Sequence, residues 1–508
     1  MRCFFQNLTS VLAVFTVLVG GQAVTTAQST DFQLTLLHTN DTHGHLLPYS
    51  YPEHFSPGAP EGMLVSRRDI GGAARRSTLV KKVRAEKGHD TLLIDSGDIC
   101  DGTPFSTEYH GSADVAVMNT IGYDIACPGN HEYNNTLAQV KTMAAAARFQ
   151  LISANSTVRA DGKLLYTPYI IRNIQGTRVA FFGLMTYDAR TYPAAKTEVQ
   201  MEEPIAVAKQ LVPELRKQAD FVVAVTHIGV DEDVKLAAEV PGIDVIVGGH
   251  THTLLPHPLF VPRPLDTSDH SVHGTVIVQD FQWAGTLGRL DLKIHHEKGH
   301  AATVATYSGK LLPITAAVPE DKQVADVIKK YWDPISAKYA RKIGETADDI
   351  TTIGDDLCEY NIVADAVKEK TGADFVMENL GGVRAPYVRG SITYGDAITA
   401  DPFGNKIVTF KASGVQIKKM LLVFQPAVAG LAYTIDHGKL TRAEIAGQPI
   451  EDSRTYSGAT NTYLAQTLLK DIPLKVTTEN ARLDASIQYI TRHSPVHAAY
   501  DGRRKISE

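Results

Sequence analysis

The stretch LLHTNDTHGH, residues 36–45, starts as an apolar run and ends in a polar loop that contains a glycine. Two of its polar residues, Asp41 and His43, are separated by a single position. In extended backbone, side chains two positions apart point to the same face. A carboxylate and an imidazole on one face, at the end of a buried strand, can form half of a metal site. A surface loop explains this pattern equally well, and the pattern becomes informative only because it recurs downstream.

Four further apolar runs also end in residues that can bind metals, and they cover residues 91–95, 123–127, 221–226 and 243–247. Short apolar runs bounded by turn residues and separated by helical patterns predict a buried α/β sheet. In such sheets, ligands collect at the carboxyl ends of the strands. The residues that follow the four runs are therefore predicted to form one site with Asp41 and His43: Asp98, Asn130, His227, His250 and His252.

This set of nitrogen and oxygen ligands is larger than one tetrahedral ion needs. It suits two divalent ions that share a carboxylate, and Asp98 is the predicted bridge because it follows Gly97 on a sharp turn. Two ions ~3.5–4 Å apart can hold a phosphoryl group and generate a hydroxide near neutral pH. Histidine combined with carboxylate and amide ligands suits Zn, Mn, Fe or Co and does not choose among them.

Length and composition describe an ordinary globular protein, and they do not exclude a small phosphate ester as its partner. A chain of 508 residues is too long for one core and predicts two domains. Apolar residues make up 44% of the chain and charged residues 21%, as in ordinary globular proteins. The net charge of -6 gives no basic footprint for a nucleic-acid polymer.

The N-terminus has the features of a secretory signal. Arg2 supplies a positive charge, residues 11–20 are an uninterrupted apolar run, and small residues allow cleavage after Ala23 or Ala27. The run is shorter than the ~20 residues of a membrane span, although an uncleaved anchor is the alternative interpretation. We therefore expect an exported protein, periplasmic or secreted, without stable membrane insertion. The oligomeric state stays open.

The predicted organisation is a signal peptide at residues 1–27, a first domain at 28–318, a linker helix at 319–343 and a second domain at 344–508. Helices are predicted at residues 73–84, 113–121, 137–148, 205–218 and 361–371, with a possible break at Pro213. Cys100 and Cys127 each lie close to a predicted ligand and could pair. Buried free thiols are the preferred interpretation for both.

The motifs resemble those of the calcineurin-like metallophosphatases, and more closely those of secreted 5'-nucleotidases, which add a C-terminal domain. The matching first-domain elements are Asp41-x-His43, Gly97-Asp98, the GNHE segment 129–132, Thr226-His227 and the GGHTH segment 248–252. In the second domain they are the NLGGVR segment 379–384 and the DPFGN segment 401–405. The resemblance implies a four-layer α/β/β/α metallophosphatase domain followed by a smaller α+β domain.

The resemblance also implies roles for these residues. One metal would be held by Asp41, His43, Asp98 and His252, and the other by Asp98, Asn130, His227 and His250. His131 would stabilise or protonate the leaving oxygen, a role that suits an imidazole. Arg384 would contact the substrate phosphate, Asn379 the sugar, and Phe403 would stack on a base. The plainer interpretations of these last three are a surface arginine, a turn residue and core packing.

Three departures from the family pattern stand out. The family usually has Asp three residues after the catalytic histidine, whereas this chain has Asn134, which predicts a less basic His131 and slower turnover. Residues 355–361 stand where the family has an arginine, and the acidic Asp355, Asp356 and Glu359 among them would repel a phosphate. The segment that supplies the second wall of the base clamp is absent, and Tyr463 or Tyr456 could replace it, although core packing is the preferred interpretation for these tyrosines.

The predicted function is an exported dinuclear-metal phosphoesterase acting on nucleoside 5'-monophosphates or 2',3'-cyclic nucleotides. The first alternative is the same chemistry on a nucleotide sugar or a non-nucleotide ester, which the departures in the second domain favour. The second alternative is a secreted metal- or ligand-binding protein with weak catalysis.

Overall fold

The computed structural model describes residues 29–52, 68–263, 274–297, 300–469 and 474–507. The predicted signal peptide, residues 1–27, lies outside the described residues. Within the described ranges, no helix combines the length and apolar character that crossing a bilayer requires.

The first of two large sheets is built around the strand Ser29–Thr39. Leu34 and Leu36 face the second sheet, whereas Leu37 packs on helices behind the first. This alternation is the period of two that a strand imposes on its side chains. In spatial order the sheet consists of Thr303–Pro313, Thr286–Glu297, Ser29–Thr39, Thr91–Asp95, Ile125–Ala126 and Gln150–Leu151.

The second sheet is centred on the fully buried strand Phe221–His227. Val223 and Val225 meet the first sheet in a shared core, and Val222 and Ala224 pack on helices behind. Both faces are thus covered, which explains the uninterrupted apolar run in the sequence. In spatial order the strands are Leu259–Pro262, Gly274–Val278, Val245–Val247, Phe221–His227, Thr177–Met185 and Tyr169–Ile174.

Helices form the two outer layers. The helix Pro204–Arg216 continues through Pro213, so the predicted break does not occur. The predicted linker corresponds to the helix Lys322–Tyr339, and its Val324 and Ile328 pack into the core of the first domain. The other helices of this part are Ala73–Lys87, Pro104–Tyr109, Ser112–Ile121, Leu137–Ala146, Pro193–Thr197 and Val230–Glu239.

The remaining part of the chain folds around a five-stranded mixed sheet and a four-stranded one. The first consists, in spatial order, of Ala427–Ala429, Phe375–Glu378, Thr455–Asn461, Lys406–Ser413 and Leu474–Ala481. The second consists of Gln448–Pro449, Lys439–Ile445, Leu431–Asp436 and Arg504–Ser507. The helices are Cys358–Thr371, Tyr394–Ala400, Gly414–Phe424, Thr462–Leu468 and Arg482–Arg492.

Short strand pairs complete the architecture. They are Pro48–Tyr49 with Ile70–Gly71, Ser156–Val158 with Val199–Met201, Lys342–Thr346 with Gly390–Thr393, and Thr352–Ile353 with Asp356–Leu357. Single 3-10 turns lie at Gly88–Asp90, His131–Asn134 and Tyr187–Thr191.

The predicted fold class is confirmed: two sheets pack face to face between helical layers, and a smaller α+β unit follows. The domain boundaries themselves stay a prediction. Strands Ser29–Thr39, Thr91–Asp95 and Ile125–Ala126 run parallel in one sheet, and Phe221–His227 runs parallel to Val245–Val247 in the other. Their carboxyl ends therefore lie at one edge of each sheet, where the loops that follow them can meet.

Candidate metal centre and active site

The first cluster of predicted ligands contains Asp41, His43 and His252. His252 Nε2 lies 3.2 Å from Asp41 Oδ1 and 3.2 Å from His43 Nε2. Asp41 Oδ1 is buried and accepts no hydrogen bond from any described residue. A buried carboxylate oxygen without a hydrogen bond, facing two imidazole nitrogens, is the environment expected of a metal ligand.

The second cluster contains Asp98, His227 and His250, with Asn130 beside them. His227 Nε2 lies 3.1 Å from Asp98 Oδ2 and 3.2 Å from Asn130 Oδ1. The same Asp98 oxygen lies 3.8 Å from His43 Nε2 of the first cluster. All seven predicted ligands are thus brought together, with Asp98 between the clusters, although metal binding by each of them stays a prediction.

Backbone carbonyls orient two of the imidazoles. His43 Nδ1 donates to the carbonyl of Asp101 at 2.9 Å, and His227 Nδ1 donates to the carbonyl of Ser96 at 2.6 Å. In its neutral form, each ring is thereby held in the tautomer whose Nε2 lone pair can bind a metal. Hydrogen bonds also orient the Asp41 carboxylate, because its Oδ2 accepts from Asn40 Nδ2 and from the backbone N–H of His250.

The loops that carry the ligands have strained backbone. Asp41, His43, Asp98, His250 and His252 all have φ between 47° and 83°, a region that side chains other than glycine rarely adopt. Strain of this kind concentrates at functional sites, where the surrounding structure enforces it. The backbone at residue 129 approaches Asp98 closely, and only glycine fits there because a Cβ would lie 2.1 Å from Asp98 Oδ1.

Opposite charges dominate the electrostatics of the second cluster. Burial alone would raise the pKa of Asp98, but His227 and His131 beside it hold that pKa well below its usual range. Burial lowers the pKa of His227, and the carboxylates of Asp98 and Asp41 outweigh it and raise the pKa to about 10. The carboxylates therefore attract positive charge into this edge of the sheets.

His131 lies beside the clusters and has a carboxylate partner that sequence reasoning missed. Its Nδ1 is 2.7 Å from Asp101 Oδ2, and its backbone N–H donates to Asp98 Oδ1 at 2.8 Å. Asn134 is also present, with Nδ2 2.9 Å from His131 Nδ1 and donating to the same oxygen of Asp101. The one signal in the sequence was that Asp101 falls three residues after Asp98, in the same loop.

A cleft of about 690 Å³ opens above His131, between the two parts of the chain. The predicted substrate residues Asn379, Arg384, Phe403 and Tyr463 all line it. Arg384 Nη2 reaches to 3.0 Å from His43 Nε2, and the Phe403 ring stacks on the His131 ring with centroids 6.1 Å apart. Their roles toward a substrate stay predictions.

The structure separates the two tyrosines and corrects one expectation about residues 355–361. Tyr456 is buried in the core with Phe410 and Tyr433, in agreement with the preferred interpretation of core packing. Tyr463 is 60% exposed and lines the cleft, so it remains the candidate for the second wall. Residues 355–361 do not line the cleft. Asp355 instead pairs with Arg504 at 3.2 Å, so repulsion of a bound phosphate by this carboxylate is not expected.

Sequence reasoning also missed two residues that support the ligands. Glu132 accepts hydrogen bonds from the backbone N–H groups of Asp98 and Gly129 and so joins two ligand loops. Tyr192 accepts a hydrogen bond from Asn130 Nδ2 at 2.8 Å, and no feature of the sequence pointed to it. Cys100 and Cys127 are buried free thiols, as preferred from the sequence.

Comparison with known proteins assigns the family. The profile for calcineurin-like phosphoesterases matches residues 34–254, and the profile for the 5'-nucleotidase C-terminal domain matches residues 342–468. The chain belongs to the calcineurin-like phosphoesterases that carry a 5'-nucleotidase C-terminal domain. The resemblance inferred from the motifs is therefore confirmed, and it covers both parts of the chain.

Members of this family similar to the chain include Protein UshA of Yersinia enterocolitica, 27% identical over 98% of this chain and 98% of that protein. A 5'-nucleotidase of Vibrio cholerae is 28% identical over 84% of this chain and 83% of that protein. Among solved structures, a 5'-nucleotidase precursor from Thermus thermophilus superposes with a TM-score of 0.83 at 28% identity, covering 94% of this chain and 100% of that one.

As a member of this family, the chain is a metal-dependent phosphoester hydrolase. The residues present fit divalent metals, because the two clusters combine oriented imidazoles with a buried carboxylate oxygen that accepts no hydrogen bond from the described part of the chain.

Proposed function

We propose that this hydrolase removes phosphate from nucleotides, either nucleoside 5'-monophosphates or 2',3'-cyclic nucleotides, with the aid of two divalent ions. The observation that carries the proposal is the arrangement around Asp98. Metal-ligand clusters lie on both sides of this carboxylate, and His131, Arg384 and Phe403 face the same cleft. The names of the relatives, which include 5'-nucleotidases, support the nucleotide as substrate.

Asp41, His43, Asp98 and His252 would hold one ion, and Asp98, Asn130, His227 and His250 the other. The ions, when bound, would supply charge stabilisation and a nucleophile derived from water near neutral pH. Zn, Mn, Fe and Co all fit this donor set. The left-handed backbone of the loops that carry these residues, a kind of strain that clusters at functional sites, supports this assignment.

His131 would donate a proton to the leaving oxygen of the ester, or a hydrogen bond to the charge that develops there. Asp101 engages Nδ1, so Nε2 is the ring nitrogen available to the substrate. The backbone hydrogen bond to Asp98 Oδ1 fixes the residue relative to the metal ligands. A positioned general acid contributes about 10²–10⁴-fold to rate.

Arg384 would bind the phosphate across the cleft from the ligands. Its Nη2 lies 3.0 Å from His43 Nε2 of the first cluster, and this positive charge beside the predicted metal ligands supports a phosphate contact. The planar fork of arginine suits two phosphate oxygens at once.

Phe403 and Tyr463 would form the two walls for a base, and Asn379 would contact the sugar. Asn379 Oδ1 accepts from Asn461 Nδ2 at 2.9 Å, so the side chain is held in one orientation. Because stacking contributes about 1–3 kcal/mol per base, we expect Phe403→Leu to raise KM for AMP about tenfold and to leave KM for p-nitrophenyl phosphate unchanged. An equal rise for both substrates would argue against base stacking.

One feature favours a second candidate substrate, a nucleotide sugar or another large ester. The exposed Lys196 lines the same cleft as Arg384, so the cleft offers positive charge at more than one place. A substrate with a second anionic group would use both.

The test is hydrolysis of AMP, a 2',3'-cyclic nucleotide, a nucleotide sugar and bis-p-nitrophenyl phosphate by metal-loaded protein, with His131→Ala as the matched variant. Products are identified by chromatography, because AMP gives adenosine and phosphate whereas the three diesters give phosphate monoesters. Strong hydrolysis of AMP or the cyclic nucleotide that the variant loses would support the proposal. Preferred hydrolysis of the nucleotide sugar would support the second candidate. Hydrolysis of the generic ester alone would refute nucleotide specificity, and binding without turnover would favour a binding protein.

We also propose that the protein is exported, on the strength of the N-terminal pattern described above. The expected result of N-terminal sequencing of protein recovered outside the cytoplasm is a chain that begins at Val24 or Gln28. An intact N-terminus on protein retained in the cytoplasm would refute export.

A further inference from the structure

We propose that Asp101 positions His131 and that it has exchanged roles with residue 134. The family pattern places a carboxylate three residues after the histidine, where this chain has Asn134. In the structure the carboxylate comes instead from the loop after Asp98, and its Oδ2 lies 2.7 Å from His131 Nδ1. The inference rests on the proposed role of His131 toward the leaving oxygen.

The orientation of Asn134 identifies Asp101 as the acceptor. Asn134 Nδ2 donates to Asp101 Oδ2, and turning the amide over would place its oxygen against that carboxylate oxygen. The amide nitrogen therefore faces both Asp101 and His131 Nδ1. An N–H group cannot accept a hydrogen bond, so Asp101 is the group that receives the proton on Nδ1.

The arrangement fixes the tautomer and the direction of the ring. With the Nδ1 proton directed at Asp101, the neutral imidazole presents Nε2 to the cleft, and the imidazolium presents an Nε2 proton. Asn134 contributes indirectly, because its amide holds the Asp101 carboxylate in place. Asp101 is thus a positioning residue, which acts through His131.

The geometry also requires that one member of the pair be an amide. Both side chains approach the same point beside His131. Two carboxylates there would repel each other, whereas two amides would leave Nδ1 without an anionic acceptor. A single carboxylate and a single amide satisfy the site in either order.

The experiment compares Asp101→Asn, Asn134→Asp and the double exchange Asp101→Asn/Asn134→Asp on metal-loaded protein. Substrates are alkyl and substituted aryl phosphates that differ in the basicity of the leaving oxygen. Because a general acid contributes about 10²–10⁴-fold, we expect Asp101→Asn to lower kcat on alkyl phosphates about 10- to 100-fold. The loss should be small for p-nitrophenyl phosphate, whose leaving group needs no proton.

Rescue gives the sharper readout. Asn134→Asp alone should also lower kcat on alkyl phosphates, whereas the double exchange should recover most of the lost activity. Asp161→Asn, an exposed loop residue, serves as the matched control and should leave activity unchanged. Metal content is measured for each variant, because the carbonyl of Asp101 also orients His43.

A readout independent of turnover separates this inference from the proposed function. The Nδ1 proton of His131 in ¹⁵N-histidine-labelled protein should show a strong hydrogen bond that Asp101→Asn abolishes and the double exchange restores. If the signal behaves in this way and no ester is hydrolysed, the proposed function fails and the positioning contact stands. Loss of activity that is equal for all leaving groups, or no rescue by the exchange, would overturn the inference.

Discussion

Replacing Glu132 by Gln tests whether one buried carboxylate holds together the loops that carry the predicted metal ligands. Glu132 Oε1 accepts from the backbone N–H groups of Ile99 at 2.9 Å and Cys100 at 3.3 Å. Its Oε2 accepts from those of Gly129 at 2.5 Å and Asp98 at 3.1 Å. Burial raises the pKa of Glu132, yet every neighbour in this set is a donor, so the geometry holds the ionised form.

The size of the effect follows from this count of donors. Glutamine retains one acceptor oxygen, and its NH2 group would face the other pair of N–H donors. Two buried donors that lose their acceptor cost about 1–3 kcal/mol each, or about 2–6 kcal/mol together. Residues that support metal ligands typically change affinity or activity about 10- to 100-fold, so we expect metal dissociation constants to rise by this factor.

The assay is metal titration by calorimetry, paired with thermal unfolding of the metal-free protein. At about 2–4 °C per kcal/mol, the melting temperature should fall by an amount of the order of 10 °C. Glu214→Gln is the matched control, because the Glu214 side chain is 60% exposed and its carboxylate pairs with Lys217 at the protein surface. Such surface pairs contribute about 0–1 kcal/mol, so the control should behave as the parent protein.

Two results would refute the reasoning in different ways. Unchanged metal affinity together with a lower melting temperature would make Glu132 a structural residue without influence on the ligands. Unchanged affinity and unchanged melting would mean that the four hydrogen bonds do not form as described.

Two further predictions follow from single side chains. Arg384→Lys should raise KM for phosphate monoesters about tenfold with a smaller effect on kcat, since a charge-assisted bond contributes about 1.5–3 kcal/mol; an unchanged KM in steady-state assays would contradict a phosphate contact. Burial raises the pKa of Asp114 to about 8, so the folded state binds its proton more tightly than the unfolded state. Stability should therefore fall as pH rises from about 4 to about 8, by up to ~1.4 kcal/mol per unit, and Asp114→Asn should flatten this dependence of the melting temperature.

The proximity of the seven predicted ligands could be predicted because a topological rule fixes where the ends of the strands meet. Parallel strands have their carboxyl ends at one edge of the sheet, and the end of each apolar run in the sequence indicated where a strand ends. The hairpin Thr286–Glu297 with Thr303–Pro313 was not predicted. Charged residues such as Lys293 occupy the exposed face of this hairpin and interrupt the apolar run. Its side chains alternate between buried and exposed positions, so the sequence lacks the continuous apolar run of a strand that is buried on both faces.

Side-chain partners within the site were harder to predict than the ligands. Asp101 has φ of 75°, in a loop whose path depends on how the sheets pack, so its approach to His131 follows no sequence spacing. Tyr192 reaches Asn130 from a different part of the chain for the same reason. Motif position predicted which side chains gather at this edge of the sheets, whereas the contacts between their neighbours required the fold.

The two interpretations of Asn134 lead to opposite expectations for one substitution. Considered as a motif position, Asn134 is a defect, and Asn134→Asp should speed the enzyme by restoring the missing carboxylate. Considered with its contacts, Asn134 is the amide that a neighbouring Asp101 requires, and Asn134→Asp should slow the enzyme by placing two carboxylates at one point. The direction of the change in kcat on an alkyl phosphate therefore decides between them. Since His131 needs one anionic acceptor and has one in Asp101, the structure favours the slower variant and an unimpaired parent enzyme.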